Sequence, residues 1–509
     1  MNIALILERN AWAFGDRTAI VDRGRRISFA ALDRAASCAA GELAQAGLSR
    51  GMRALVFSPM SIDLYTTVIG MFRLGVTAVF VDPSAGASNL AACIARVRPD
   101  AFVAVPRAHL LRLTSAAVRG VRIKVAIGDG IPAGRCVWRR RVAEGRGVEP
   151  CGPDTPAIIT FTSGTTGEPK AVVRSHGFLV AQHRALVESL ALEAGETDLT
   201  TLPIFLLANL AAGVTSVIPD ANLRTPGSID PAPVLEQVRT ERPTRIVASP
   251  ALLGRLVDHA AALGERLDSF ERIFTGGAPV FPRTLDAIAA AAPRAAVVAL
   301  YGSTEAEPIA AIDRRDISAA DRHAMRRGAG LLAGKPAPSI QVRILRGEIV
   351  VSGDHVVRGY LDDVGNEDTK IPVGNRVWHR TGDSGYFDSQ GRLWLLGRCS
   401  AKVEDRAGVL HPFAVECAAS EVPGVGLSAL IQHRGRRVLV VEVDRDGVAL
   451  RELLTRRLAW ARLDEVVSVS RIPVDRRHNA KTDLPALTRM LAAPVSFRRC
   501  RTTPASVSG

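Results

Sequence analysis

Lysine is scarce in this chain of 509 residues. Six of its 65 basic side chains are lysine, at 124, 170, 335, 370, 402 and 481, and the rest are arginine. Aromatic residues make up only 5%, too few to build platforms on which bases stack. The net charge of +14 is scattered and gathers into no basic tail or stripe, so nucleic acid is not expected as a partner. It reads as solvated surface with some attraction for small anions. The seven cysteines (38, 93, 136, 151, 399, 417 and 500) include no Cys-x-x-Cys pair and have no histidine at ligand spacing. That excludes a disulfide framework and a structural zinc site and fits a reducing cytosol. No apolar run can cross a bilayer, because the longest, Ala54 to Val81, is broken by Ser58, Asp63 and Arg73. The opening run, Met1 to Phe14, carries Glu8, Arg9 and Asn10 and does not read as a signal peptide. A cytoplasmic protein with no transmembrane segment is expected.

What the chain has in quantity is buriable surface, 47% hydrophobic residues, over a length that calls for more than one core. Apolar residues recur at helical spacing over Phe29 to Leu48, Ile62 to Leu74, His176 to Leu192, Val234 to Thr240, Pro250 to Leu263 and Pro282 to Ala291. Short β-type runs alternate with them, at Arg53 to Phe57, Thr77 to Val81, Ile123 to Ile127, Ala157 to Phe161, Asp198 to Leu202, Arg245 to Ala248, Arg272 to Thr275 and Ala296 to Tyr301. The alternation predicts an α/β fold whose large N-terminal domain stacks mostly parallel sheets with helices. From Gln341 to Gly397 short β runs and glycine turns predict a small antiparallel subdomain. After about Arg398 the strands Ser428 to Gln432 and Arg437 to Val443 and the helix Ala449 to Trp460 suit a small α+β domain. The expected division is 1–397, 398–494 and a frayed tail at 495–509.

The most specific stretch is Thr160-Phe161-Thr162-Ser163-Gly164-Thr165-Thr166-Gly167-Glu168-Pro169-Lys170. Gly164 and Gly167 let consecutive N–H groups aim inward. The hydroxyls of Thr162, Ser163, Thr165 and Thr166 add donors, and Lys170 adds a compact positive charge. That set suits a triphosphate. It is not the Walker arrangement, since Glu168 and Pro169 separate the second glycine from the lysine.

Further stretches hold what a nucleotide site would need. Gly276, Gly277 and Ala278 follow a strand and allow a flat ring to approach the backbone. In Tyr301-Gly302-Ser303-Thr304-Glu305, Tyr301 can cover an adenine face, Thr304 can donate to a phosphate and Glu305 can hold Mg²⁺ as a hard oxygen ligand. Asp383, after Trp378-His379-Arg380-Thr381-Gly382, can accept from both ribose hydroxyls, and the Arg398 fork can reach the same sugar. Lys481 stands near the C-terminus of a chain with few lysines.

Together these stretches resemble the adenylate-forming superfamily of acyl-CoA synthetases, luciferases and peptide-synthetase adenylation domains, over nearly the whole chain. The resemblance implies ATP held by Thr162 to Lys170, adenine lined by Gly276, Gly277, Ala278, Tyr301, Gly302 and Ser303, and ribose held by Asp383 and Arg398. It implies Mg²⁺ on Glu305, with the Thr162 hydroxyl adding an oxygen, and Thr304 and Lys481 acting in catalysis. The part after Arg398 is then a mobile lid, with Lys481 bridging the carboxylate and the α-phosphate. A narrower likeness, to the olefin β-lactone synthetase branch, lies in Tyr301 to Ala310, Val247-Ala248-Ser249-Pro250, Gly276 to Phe281, Gly353-Asp354-His355 and Arg477-His478-Asn479-Ala480-Lys481. Those enzymes adenylate a long-chain 2-alkyl-3-hydroxy acid, whose own hydroxyl displaces AMP to close a β-lactone.

Two departures from the acyl-CoA ligase pattern matter. Pro203-Ile204-Phe205-Leu206 stands where Pro-Leu-Phe-His is usual, and the expected hinge acid after Arg398 falls on Cys399-Ser400-Ala401. Both weigh against a standard second step on CoA, so CoA stays open as a cofactor. An acyl-CoA or acyl-carrier-protein ligase, with a carrier protein or pathway enzymes as partners, is the alternative to a β-lactone synthetase. A catalytically silent nucleotide-binding protein is a third reading, and it would have lost the lysines or Glu305. The apolar side chains of Phe205, Leu206, Leu207 and Leu210 read equally as an alkyl channel or as core.

Overall fold

A computed structural model of the chain describes residues 1–82, 86–128, 137–138, 144–163, 169–443, 448–475, 481–492 and 499–501. Sequence patterns and observed elements agree closely where caps are strong. The helix Ile62–Leu74 starts at Ser61, whose hydroxyl accepts from the Leu64 N–H, and stops at Gly75 in the left-handed region (φ 65°). A serine cap and a left-handed glycine are the favoured ends of a helix, and the chain then runs straight into the strand Thr77–Phe80. The strands Ala101–Ala104 and Arg245–Ala248 are buried at every position, as expected of parallel strands covered on both faces.

Among the described residues these strands form two large sheets. The seven-stranded one runs Val137–Trp138, Ile123–Ala126, Ala101–Ala104, Arg53–Phe57, Thr77–Phe80, Pro156–Ser163 and Pro169–Ser175, parallel until the last, antiparallel pair. The other has 14 strands. Its parallel half includes Thr197–Thr200, Arg245–Ala248, Arg272–Gly276 and Ala296–Ser303. One core joins residues of both sheets, such as Ile20 and Val56, with helix residues such as Phe72 and Leu206.

The antiparallel strands expected at Gln341 to Gly397 are present, and they continue the 14-stranded sheet. The strand Leu331–Pro336 makes the splice, pairing on one side with Ala306–Asp313 and on the other with Leu393–Arg398. Antiparallel ladders thus bring Arg376–Phe387 and Leu393–Arg398 to the end of the parallel strands. The smaller C-terminal region has its own four-stranded sheet, with cores on Leu439 and Val466 and on Val440 and Leu487. It is docked against the rest. Arg283 Nη1 donates to the Val425 carbonyl at 3.1 Å, and the Phe281 and Phe413 rings meet edge-on at 6.2 Å. No helix among the described residues is long and apolar enough to cross a membrane.

The largest fully buried side chain is Arg245. It pairs with Glu196 at 2.6 Å, donates to the Leu190 carbonyl at 2.8 Å, and lies 5.4 Å from the centre of the Phe274 ring. Burial raises the Asp198 carboxyl, with Arg245 the first of the groups that oppose it. Arg245→Met should therefore cost about 3 kcal/mol, since it strips a counter-charge from buried carboxylates. Urea unfolding of the variant checks this, and a loss below about 1 kcal/mol would assign the stability of this region to packing alone.

Candidate functional site

The site lies at the carboxyl ends of the parallel strands, where open α/β sheets leave room for ligands. Gly276, the last residue of its strand, pairs in register with Leu300. A Cβ on Gly276 would come within 2.7 Å of the Leu300 carbonyl oxygen, and Gly277 follows with φ 80°. Gly276 is thus required by the close approach of two backbones and Gly277 by its left-handed conformation. Ala278 next to them is partly buried.

Tyr301, Gly302 and Ser303 end the neighbouring strand, and Thr304 and Glu305 form the turn into Ala306–Asp313. The Tyr301 hydroxyl donates to Asp383 Oδ2 at 2.8 Å. Asp383 is the cross-strand partner of Arg398, whose Nη1 is 3.2 Å from Asp383 Oδ1 and donates to the Thr381 carbonyl at 2.8 Å. Gly382 (φ 73°) keeps this space open, because a Cβ there would lie 3.2 Å from the same Nη1. Burial raises the Asp383 carboxyl, and Arg398, the Tyr301 hydroxyl and Lys481 pull it part of the way back. Tyr301, Asp383 and Arg398, spread over 98 positions of sequence, are thereby brought to one place, and the charge of Lys481 acts on the same carboxylate. Lys481 is exposed, and its backbone is tied to Asp475, whose N–H donates to the Lys481 carbonyl at 2.7 Å and whose Oδ1 accepts from the Lys481 N–H at 3.0 Å.

A second group surrounds Glu305. Oε1 of Glu305 accepts from the Tyr360 hydroxyl at 3.0 Å and from Thr162 Oγ1 at 3.5 Å. Thr162 and Ser163 are the last residues of the strand Pro156–Ser163, which runs two positions past Phe161, where the sequence pattern ended it. Gly164, Thr165, Thr166 and Gly167 lie outside the described residues, as do Arg477 to Ala480 and the tail at 502–509. Lys170 is buried, with Nζ 3.5 Å from the Gly365 carbonyl and 5.4 Å from the centre of the Tyr360 ring.

Burial pushes the Glu305 carboxyl up, while His379, the Tyr360 hydroxyl and Lys370 together pull it below the usual glutamate value. His379 is itself held down to about 4, by burial first and then by Lys370. Its ring is therefore uncharged near neutral pH, and the Tyr360 hydrogen bond and the Lys370 ammonium keep the carboxylate ionised. The donors here, a carboxylate and a hydroxyl, are hard oxygens. No group of three or more His, Cys, Asp or Glu side chains that could hold a metal occurs among the described residues. This set fits Mg²⁺, which takes one or two carboxylates and fills its octahedron with phosphate and water oxygens.

Sequence reasoning missed Tyr360, Lys370, His379 and Arg174. Arg174 donates to the Thr304 carbonyl at 2.8 Å and to Thr160 Oγ1 at 3.3 Å, tying the strand Pro156–Ser163 to the Glu305 turn. The scarcity of lysine was a usable signal for Lys370; the others carry none. Phe205, Leu206 and Leu210 are buried in two cores, which favours packing over an alkyl channel for these side chains. At the expected hinge, Cys399 Sγ accepts from Ser384 Oγ at 3.2 Å.

Comparison with known proteins agrees with this geometry. A sequence model of the family described as "AMP-binding enzyme" matches residues 7–361. An olefin beta-lactone synthetase of Stenotrophomonas maltophilia (strain K279a) is 32% identical, the match covering 94% of this chain and 96% of that protein. An indoleacetate–CoA ligase of Aromatoleum aromaticum is 26% identical, over 93% of this chain and 95% of that protein. Among solved structures, the amide bond synthetase McbA from Marinactinospora thermotolerans has the same fold, with a TM-score of 0.80 and 24% identity over 96% of this chain and 99% of that one.

Proposed function

We propose that this chain, which belongs to the family of AMP-binding enzymes and is an adenylate-forming ligase, activates a long-chain 2-alkyl-3-hydroxy acid and closes it to a β-lactone. In the first step the ionised carboxylate attacks the α-phosphorus of ATP and pyrophosphate leaves. No general base is needed, so the site has to supply positioning and charge neutralisation. In the second, the substrate's 3-hydroxyl oxygen attacks the acyl carbon, AMP departs, and the hydroxyl proton passes to a base or solvent. An internal nucleophile reacts at high effective molarity, which offsets ring strain.

In this reading Tyr301, with Gly276, Gly277, Ala278, Gly302 and Ser303, borders the adenine, and Asp383 and Arg398 hold the ribose. Thr162 to Lys170 and Thr304 take the phosphates. Lys481, on a C-terminal lid that we start at 398, bridges the carboxylate and the α-phosphate. Glu305 and Thr162 would hold Mg²⁺, which neutralises phosphate charge when bound. The observation that carries adenylation is the convergence of Tyr301, Arg398 and the Lys481 charge on Asp383. Supporting lactone closure are the 32% identity to an olefin beta-lactone synthetase over almost the full chain and the missing acid at Cys399-Ser400-Ala401. An acyl-CoA or acyl-carrier-protein ligase would share the first step, and the indoleacetate–CoA ligase likeness favours it as the second reading.

A panel of acids with and without a 3-hydroxyl, each assayed with and without CoA, separates the two. The expected result is CoA-independent AMP release only from hydroxy acids, with a product lighter than the acid by one water. AMP release that requires CoA, with a thioester mass, would replace lactone closure by ligation.

A further inference from the structure

Lys370 is one of two lysines that face the Tyr360 ring, its Nζ 5.1 Å from the ring centre. Burying an ammonium is costly unless it is well partnered, yet this one is 8% exposed. Lys370 and His379 are cross-strand partners in an antiparallel pair, which sets their side chains next to each other, with Nζ 3.1 Å from Nδ1. The same Nζ donates to the Val357 carbonyl, and the His379 ring is also anchored, with Nδ1 3.2 Å from the Thr369 carbonyl.

Two routes lead from this pair to one residue. Through the side chain, the ammonium faces the Tyr360 ring whose hydroxyl donates to Glu305. Through the backbone, it grips the carbonyl of Val357, whose N–H donates to the Glu305 carbonyl at 2.8 Å. We infer that Lys370 is a positioning residue for Glu305, fixing both the carboxylate and the backbone of the turn so that a divalent cation meets a preset oxygen. The inference rests on the proposed metal role of Glu305. Its electrostatics agree: burial brings Lys370 down to about 8 while Glu305 opposes that fall, so the lysine is still mostly charged near neutral pH. Arginine, the rule elsewhere in this chain, is a larger planar fork and does not replace a compact ammonium in such a space.

The test uses Mn²⁺ as the probe, titrated by electron paramagnetic resonance into full-length enzyme saturated with α,β-methylene-ATP. Glu305→Gln is the reference, Lys370→Met removes the charge, and Tyr360→Phe removes a single oxygen while keeping the ring. Loss of a group that orients a metal ligand typically costs 10- to 100-fold in affinity. Lys370→Met and Tyr360→Phe should each weaken Mn²⁺ binding about tenfold, and the double variant should be less impaired than the product of the two. Wild-type affinity in a folded Lys370→Met, beside a weakened Glu305→Gln, overturns the role of Lys370 and leaves the metal reading standing. Unchanged affinity in Glu305→Gln overturns the metal reading itself. Should Lys370→Met not fold, Tyr360→Phe still decides the side-chain route: wild-type Mn²⁺ binding there refutes the claim that Lys370 fixes the carboxylate and leaves only its hold on the Val357 carbonyl.

Discussion

Lys481→Ala should cut acid-dependent pyrophosphate exchange by ~100- to 1,000-fold, the range seen when one preorganised donor to a developing charge is removed, while ATP still binds. The side chain is exposed, and the bonds to Asp475 are made by the Lys481 backbone, so its loss has little to cost in folding. Its charge acts on Asp383, at the proposed ribose position, and its proposed role sets the ammonium against the α-phosphate. An interaction made chiefly in the transition state lowers kcat and kcat/KM together and leaves ground-state binding alone. Exchange at saturating acid, paired with calorimetric ATP binding, reads the two separately. Normal exchange would take Lys481 out of the chemistry. Equal losses in exchange and in ATP affinity would make it a nucleotide-binding residue only.

That prediction began in the sequence, and so did most of the fold, because the signals involved are local. Ser61 and Gly75 stand immediately outside the two ends of their helix, and the buried strands are short apolar runs whose period needs no partner to be recognised. The residues at the proposed ribose site were also legible, since Tyr301, Asp383 and Arg398 each sit in a distinctive stretch. Their meeting was legible only through the family resemblance. It depends on Leu331–Pro336 joining Ala306–Asp313 to Leu393–Arg398, a pairing between strands dozens of residues apart that no local pattern announces. The group behind Glu305 was hidden for the same reason. Tyr360 looks like an ordinary aromatic, and His379 becomes informative only once the register sets it beside Lys370. The apolar run at Phe205 shows the reverse case, because apolarity marks burial and does not say whether the neighbour is core or ligand.

Gly334→Ala should be more damaging to the fold than any change to a site residue, although Gly334 is far from suggesting chemistry. It lies in the splice strand with φ 87°, and a Cβ there would drive into the Ala311 carbonyl and come within 2.8 Å of the Ile312 Cβ. The obstacle is backbone on the adjacent strand, so no side-chain rotation relieves it. The two halves of the sheet must separate at the strand that carries Arg398 and Asp383 to Tyr301. Gly347→Ala isolates the conformational part, since Gly347 has a similar φ of 81° in a hairpin turn and no atom within 4 Å of an added Cβ. That control should lose about 1 kcal/mol from the left-handed backbone alone. Gly334→Ala should lose more than about 4 kcal/mol, the range reached when a specific packing clash is forced. Urea midpoints of the two variants give the comparison, and ATP binding by any folded Gly334→Ala tells whether the Tyr301–Asp383 contact survived. If both lose the same small amount, the splice tolerates separation and the proposed ribose site is not held together by the sheet. A large loss confined to Gly334 would mean that the geometry around Asp383 is set by backbone pairing, with the Arg398 ion pair following from that register.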